Sequence, residues 1–313
     1  MMATIALQPY SPSVQVSFSG HETFVLRYSW LKKAYDSVIR DPTLFGREDA
    51  IVELGVGKNM VRSIRHWALA CRVLQEEPKS RGLRLSPAPF GTFLFGPDGK
   101  DPYLEDINSL WLIHWNLCTN ESRATTWDWA FSILRTTEFT AESLFASLQG
   151  ELARRRLKAP TSNTLRRDID VFIRTYLPSR VAKKNVLEDS LDSPLAELGI
   201  LVSEGSDAFS FVRGPHRSLD DGVFAAAVID FWSRQTPRRE TLSFNELAYS
   251  PNSPGCVFKL DEDSLIQRLE NLERVSQGCV LFADTAGLKQ IYRKSPIRSS
   301  DLLEKYYTAG VRD

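Results

Sequence analysis

The sequence predicts a mainly α fold with small β-ribbons (α+β), assembled from helix-turn-helix and winged-helix units in two or three packed subdomains. Three observations predict it. Apolar residues recur at three- and four-residue spacing through most of the chain. Gly- and Pro-rich breaks cut that pattern into short helices. Two of the breaks are followed by helices with basic residues in their opening turns. At 313 residues the chain exceeds one minimal core, and the breaks suggest units over 1–120, 121–186 and 187–313.

The first helical signal opens at Ser19-Gly20-His21-Glu22, where Ser19 and Glu22 have capping-box spacing. Phe24, Tyr28, Leu31, Tyr35 and Val38 then mark one apolar stripe, ended by Asp41-Pro42. A short helix fits Arg47 to Leu54 and breaks at Gly55-Val56-Gly57. A longer one follows from Lys58 to about Leu74, with Met60, Ile64, Trp67, Cys71 and Leu74 on its inner face. Lys58, Asn59, Arg62, Arg65 and His66 fall elsewhere on it. Two helices about a tight Gly turn, the second opening with basic and amide side chains, describe a helix-turn-helix. Leu83 to Pro87 and Phe90 to Gly96 read as the strand and turn that close a winged helix. Leu110 to Trp115 is an apolar core helix, in which His114 reads as a satisfied core histidine.

In the middle unit a helix opens at Thr140 and ends in Arg154-Arg155-Arg156. A capping turn at 159–163 leads into a second helix, from Thr164 to Tyr176, with Leu165, Ile169, Phe172 and Ile173 inward and Arg166 and Arg167 in its first turn. This is a second helix-turn-helix. Beyond it, a strand fits Ala208 to Val212, and a buried helix fits Asp221 to Ser233. Helices follow around Ser243 to Tyr249 and after Asp261. A hairpin joins Cys279–Phe282 to Lys289–Tyr292 through Ala286-Gly287.

Net charge is zero, 39 basic against 39 acidic residues, which excludes a uniformly basic coat. The charge is segregated instead. From Glu151 to Lys184 there are ten Lys/Arg and three Asp/Glu, and from Leu187 to Asp221 two and eight. Local fields of that kind can steer a phosphate backbone. Arginine can fork onto guanine or grip phosphate, and asparagine can pair with adenine. The DNA-contact candidates are therefore Lys58, Asn59, Arg62, Arg65, His66, Arg154, Arg155, Arg156, Arg166 and Arg167. The same spacing also suits a solvated helix face, and the arginines at 154–156 suit a helix end opposing its own dipole.

Several chemistries find little support. Gly55 to Asn59 lacks phosphate-loop spacing, so no nucleotide site is expected. Four scattered cysteines and four histidines, without C-x-x-C or H-x-x-x-H pairs, exclude structural zinc and haem attachment of the usual kind. The cysteines read as buried free thiols in a cytoplasmic protein, since no secretory signal or membrane span is visible. His21-Glu22 with Arg27 could move protons, though adjacent helical residues diverge by about 100°. The acidic groups Glu48, Asp49, Glu53 and Asp101, Glu105, Asp106 could bind a divalent ion beside DNA, but a solvated helix start is the stronger reading.

These strings, taken in order, resemble a known family. They are Ser19 to Phe24 with Arg27 and Trp30 to Lys33, Leu54 to Met60 with Ile64 to Trp67, and Asp101 to Asp106 with Leu110 to His114. Asp192 to Leu195 and Ser253 to Gly255 with Phe258 to Leu260 complete the set. Together they look like the SspB-like family of the single-stranded DNA phosphorothioation (Ssp) modification and defence system. The resemblance implies a DNA-binding protein that nicks one strand to admit sulfur. It also implies a cysteine desulfurase, a sulfur-transfer enzyme and an ATPase as partners, and cleavage of this kind would use Mg2+ or Mn2+ to activate water. The alternative is a non-catalytic DNA-binding regulator or scaffold that recruits the sulfur-transfer machinery. A homodimer is expected from the two-fold pairing common in such modules.

Overall fold

The computed structural model describes residues 16–178, 193–205 and 207–309. The start of the acidic run, residues 187–192, lies outside the described residues. Within them the protein is a mixed α+β fold, dominated by helices and carrying small antiparallel sheets.

The chain begins differently from its capping-box signal. Ser19, Glu22 and Thr23 adopt positive φ (63°, 48° and 69°), so Ser19 to Thr23 forms a tight turn rather than a helix start. Helix α1 (Tyr28–Arg40) begins only after Arg27. The reason is tertiary: the Ser19 N–H donates to the Asp168 carboxylate at 2.6 Å, a partner that no local pattern reveals.

Helices α2 (Ala50–Leu54) and α3 (Lys58–Ala70) flank the predicted Gly turn. Gly55 ends α2 in the left-handed region at φ 63°, where glycine avoids the Cβ penalty. Helix α3 stops at Ala70, earlier than expected. Leu74 instead starts strand β1 (Leu74–Glu76), which pairs antiparallel with β2 (Leu85–Pro87). The segment expected as a strand and turn at 90–96 is helix α4 (Pro89–Phe95). Pro89 sits in its first turn, where a missing N–H costs nothing. Gly91 lies so close to the Val73 carbonyl that a Cβ there would come within 2.0 Å of its oxygen. Backbone packing overrides the β-propensity of the Phe-rich string.

Helix α5 (Ile107–Cys118) is the central core helix, capped by Asp106. Helix α6 (Thr125–Asp128) runs into a π-helical turn at Trp129–Ile133. His114 is fully buried, with Nδ1 2.8 Å from the Tyr176 hydroxyl and Nε2 2.9 Å from the Val257 carbonyl. Because that carbonyl only accepts, Nε2 carries the proton and Nδ1 accepts from Tyr176. Trp111, Trp115, Trp127 and Trp129 are buried core. All four cysteines are free thiols, Cys71 and Cys118 buried and the other two half-buried.

Strand β3 (Glu138–Thr140) leads into α7 (Ala141–Arg154), which Thr140 and Ser143 cap reciprocally. Helix α8 (Ser162–Tyr176) follows, capped by Thr161. Strands β4 (Leu201–Ser203) and β5 (Ala208–Phe211) join β3 in a sheet ordered β3-β5-β4. Helix α9 (Asp221–Gln235) is buried along most of its length. Strand β6 (Thr241–Ser243) precedes helices α10 (Phe244–Tyr249), α11 (Pro254–Val257), α12 (Glu262–Glu270) and α13 (Leu272–Val275). The predicted hairpin is β7 (Val280–Thr285) and β8 (Leu288–Arg293), turning through Ala286 at φ 53° and Gly287 at φ 81°. Two consecutive positive φ values are what a tight twisted hairpin requires. β6 extends it to a three-stranded sheet, and α14 (Ser299–Ala309) closes the described chain against α9. Most buried apolar side chains from Leu26 to Tyr307 form one network, and Leu44, Ala50, Leu54 and Val61 form a second, small cluster under α2 and the start of α3. No helix among the described residues is long and apolar enough to cross a membrane.

Candidate nucleic-acid interface

The candidate cations divide by how the fold holds them. At the start of α3, Lys58, Asn59 and Arg62 are exposed. Lys58 makes no hydrogen bond or ion pair among the described residues, and Arg62 reaches only Glu22, at 3.4 Å. Arg65 is partly buried, donating to Glu76 at 3.0 Å and to the Gly82 carbonyl at 3.1 Å. It ties α3 to β1 and to the loop beyond. Burial acts to raise the Glu76 carboxyl, but Arg123 and Arg65 outweigh it and hold the group below its usual range.

His66 turns inward instead of toward solvent. Its ring packs edge-on against His21 and Trp67, with centroids 5.8 and 5.4 Å away. Its Nε2 is shielded and has no hydrogen-bond partner. Burial above all, with His21 beside it, pushes the His66 pKa down to about 3. Gly20 is required for this fit, because a Cβ there would lie 2.3 Å from His66 Nδ1.

On the second basic element, Arg154 is exposed and pairs with Glu151, while Arg155 is nearly enclosed and pairs with buried Glu121 at 2.5 Å. Burial raises the Glu121 carboxyl despite Arg155. Arg155 thus serves an internal pair. Arg166 pairs with Glu142 and lies over the Phe145 ring at 4.2 Å. Arg156, at φ 56°, and Arg167 are exposed, with no hydrogen bond or ion pair among the described residues.

One segment, which the sequence suggests as a helix start, brings the two basic helices together. Glu22 receives Arg62 of α3, and the neighbouring Thr23 carbonyl accepts from Arg174 of α8 at 3.1 Å. Beneath them, buried Asp168 of α8 accepts from the Ser19 N–H, from His21 Nε2 at 2.8 Å and from the Thr126 hydroxyl. The Thr23 N–H donates to His21 Nδ1 at 3.1 Å, so Nδ1 is an acceptor and Nε2 carries the proton toward Asp168. Trp67 and Trp127 wall the His21 ring. His21 is therefore a buried strut between the turn and α8, and Glu22 faces Arg62 instead of capping a helix. The available signal was Asp168 itself, a lone acid on the apolar stripe of Leu165, Ile169 and Phe172.

The acidic groups are largely occupied. Asp49 pairs with Arg47, whose hydrogen bond lowers the Asp49 pKa. Asp101 accepts the N–H groups of Glu105 and Asp106 at 2.9 and 3.0 Å, and Asp106 caps α5 while receiving the Tyr306 hydroxyl. Among the described residues no three His, Cys, Asp or Glu side chains gather in a way that could hold a metal ion.

Fold and surface together define a mainly helical α+β protein that presents exposed cations on two helices tied to one turn, which buried His21 anchors. Residues 18–307 match the family model described as a protein of unknown function (DUF4007), and the chain belongs to that family. A solved structure described as magnesium ion-bound SspB is similar at 30% identity and TM-score 0.86, covering 96% of this chain and 90% of that one. A second SspB crystal structure matches at 30% identity and TM-score 0.84 with the same coverage. The motif resemblance is thus borne out: the chain is SspB-like over nearly its whole length. No curated protein matches the sequence.

Proposed function

We propose that this protein binds DNA in a bacterial phosphorothioate modification and defence system and nicks one strand so that sulfur can be incorporated. The observation that carries the reading is the likeness to SspB over 96% of the chain. The exposed cations Lys58, Arg62, Arg156, Arg166 and Arg167 support the DNA-binding part, with Asn59 placed to read a base edge and Arg154 and Arg65 at the margins. In this reading the two helix-turn elements and their β-ribbons act as winged-helix units. The protein works in the cytoplasm as a homodimer beside a cysteine desulfurase, a sulfur-transfer enzyme and an ATPase.

Mg2+ or Mn2+ would be the expected cofactor, given the magnesium-bound relative. Among the described residues no three His, Cys, Asp or Glu side chains gather to hold it. The engagement of Asp49, Asp101 and Asp106 by cations and backbone N–H groups favours a second reading, in which the protein recruits the sulfur-transfer machinery without cutting. Incubating the purified chain with supercoiled plasmid and Mg2+ or Mn2+ separates the two. The first reading expects open-circle product that chelator abolishes. Retarded but uncut plasmid would leave only the second, and plasmid neither retarded nor cut would overturn both.

A further inference from the structure

A cavity of about 630 Å3 opens where α4, α5, α9 and α14 meet β1, at the opposite end of α3 from Lys58. That volume lies within the about 300–1,000 Å3 typical of small-molecule sites. Its walls are rigidly set. Phe90 and Phe93 stand three residues apart on α4 and so share a face, and Gly91 between them is pinned against the Val73 carbonyl. Leu112 and Trp115 of α5 form the floor, and the small Ala226 and Ala227 of α9 leave the space open.

The polar lining includes the Arg123–Glu76 ion pair, Asn116 and Asn120, and two of its groups have unused capacity. Asp230 accepts from Trp115 Nε1 at 2.7 Å and from Arg234, both on Oδ2, which leaves Oδ1 without a hydrogen bond among the described residues. Among the described residues the Gln75 amide makes two long contacts, at 3.4 Å each, to Ser86 and Pro87. Arg72, in the left-handed region at φ 56°, holds the rim by donating to the Thr119 carbonyl at 2.6 Å. A non-glycine residue kept in that conformation marks a place where the surroundings fix the backbone. Aromatic side walls, a carboxylate oxygen free to accept and an amide free to do either match a flat heterocycle with an exocyclic amine.

The geometry points to a nucleobase site here, one that takes an amino-bearing base between Phe90, Phe93 and Leu112 with its amine on Asp230. The base comes either from a free nucleotide or from a nucleotide extruded from a DNA strand, and its chemistry at the pocket is the same. Thymine, with no exocyclic amine, should bind worst.

The test uses the full chain and two ligands. Calorimetric titration with dAMP, dCMP, dGMP and dTMP reads the free source. Fluorescence of 2-aminopurine in a single-stranded oligonucleotide reads the extruded one. Saturable binding of amino-bearing nucleotides, weakened about tenfold by Asp230→Asn, supports the free source. A pocket-dependent 2-aminopurine signal without nucleotide binding supports extrusion. Ser300→Trp places an indole at the mouth from an exposed helix position, so it should block either signal even if Asp230→Asn fails to fold. No saturable signal from either ligand, or one that Ser300→Trp leaves intact, overturns the site. Free-nucleotide binding does not require DNA binding, so failure of the proposed function would show separately as loss of plasmid retardation.

Discussion

Replacing Asp168 with alanine tests the strut on which the basic surface rests. The carboxylate is fully buried and accepts from three donors: the Ser19 N–H, His21 Nε2–H and the Thr126 hydroxyl. Thr126 can turn its hydroxyl elsewhere. The other two donors are fixed, one by the turn backbone and one by the Thr23 N–H on the far side of the imidazole. Each buried donor left unpaired costs about 1–3 kcal/mol, so Asp168→Ala should lose about 3–5 kcal/mol. Asp168→Asn keeps an oxygen for Ser19 and His21 and should lose about half as much. Urea unfolding followed by tryptophan emission measures both, with Trp67 and Trp127 beside His21 as local reporters. The expected result is a lower midpoint at unchanged slope. A loss below about 1 kcal/mol for Asp168→Ala would refute the strut, since it would mean the donors find water.

Gly20→Ala should destabilise by about 1–3 kcal/mol through overpacking, because its Cβ would meet His66 Nδ1 at 2.3 Å. His66→Ala should recover much of that loss in the double variant, and simple additivity would exclude the clash. Acid should destabilise the protein through two histidines. Burial drops His66 and His114 from the ordinary 6.5 to about 3 in the fold, so the unfolded chain takes up their protons first. Their contribution is therefore present above pH 6.5 and lost as pH falls toward 3. A pH series of urea midpoints should flatten over that window in His66→Gln, and an unchanged profile would count against its burial. Lys58→Ala and Arg167→Ala should each lower the salt slope of DNA binding by about 0.9, whereas Arg155→Ala should weaken stability and leave the slope alone.

Elements whose signal is local were legible from sequence. The apolar stripe of α8 and the Ala286-Gly287 turn of the hairpin both carry their cause within a few residues. What failed depended on distant partners. Ser19 to Glu22 has capping-box spacing, yet Asp168, 149 residues from Ser19, captures the Ser19 N–H and a turn results. Phe90 to Phe95 looks like a strand until Gly91 meets Val73. β3 pairs with β5 about 70 residues along the chain, which no periodicity can announce. The basic faces were visible as composition, but composition could not tell Arg167, which is open, from Arg155, which is enclosed with Glu121. That distinction rests on burial of the partner.

Burial also explains how a chain of zero net charge can offer a cationic surface. Exposed pairs such as Arg62–Glu22 and Arg166–Glu142 are held in water, where an ion pair adds little stability. A phosphate oxygen, itself charged and able to accept two guanidinium N–H groups, can replace a carboxylate there at little cost. Arg155–Glu121 cannot exchange in this way, because moving Arg155 would strand a buried carboxyl. In the proposed DNA complex the acids beside the exposed arginines would act as removable counter-charges, and the acids inside the fold as fixed ones. Arg62 and Arg174 both land on the Glu22-Thr23 step. A phosphate that displaces Glu22 from Arg62 would therefore act on the same turn that joins α3 to α8, so the response of one basic helix is mechanically tied to the other.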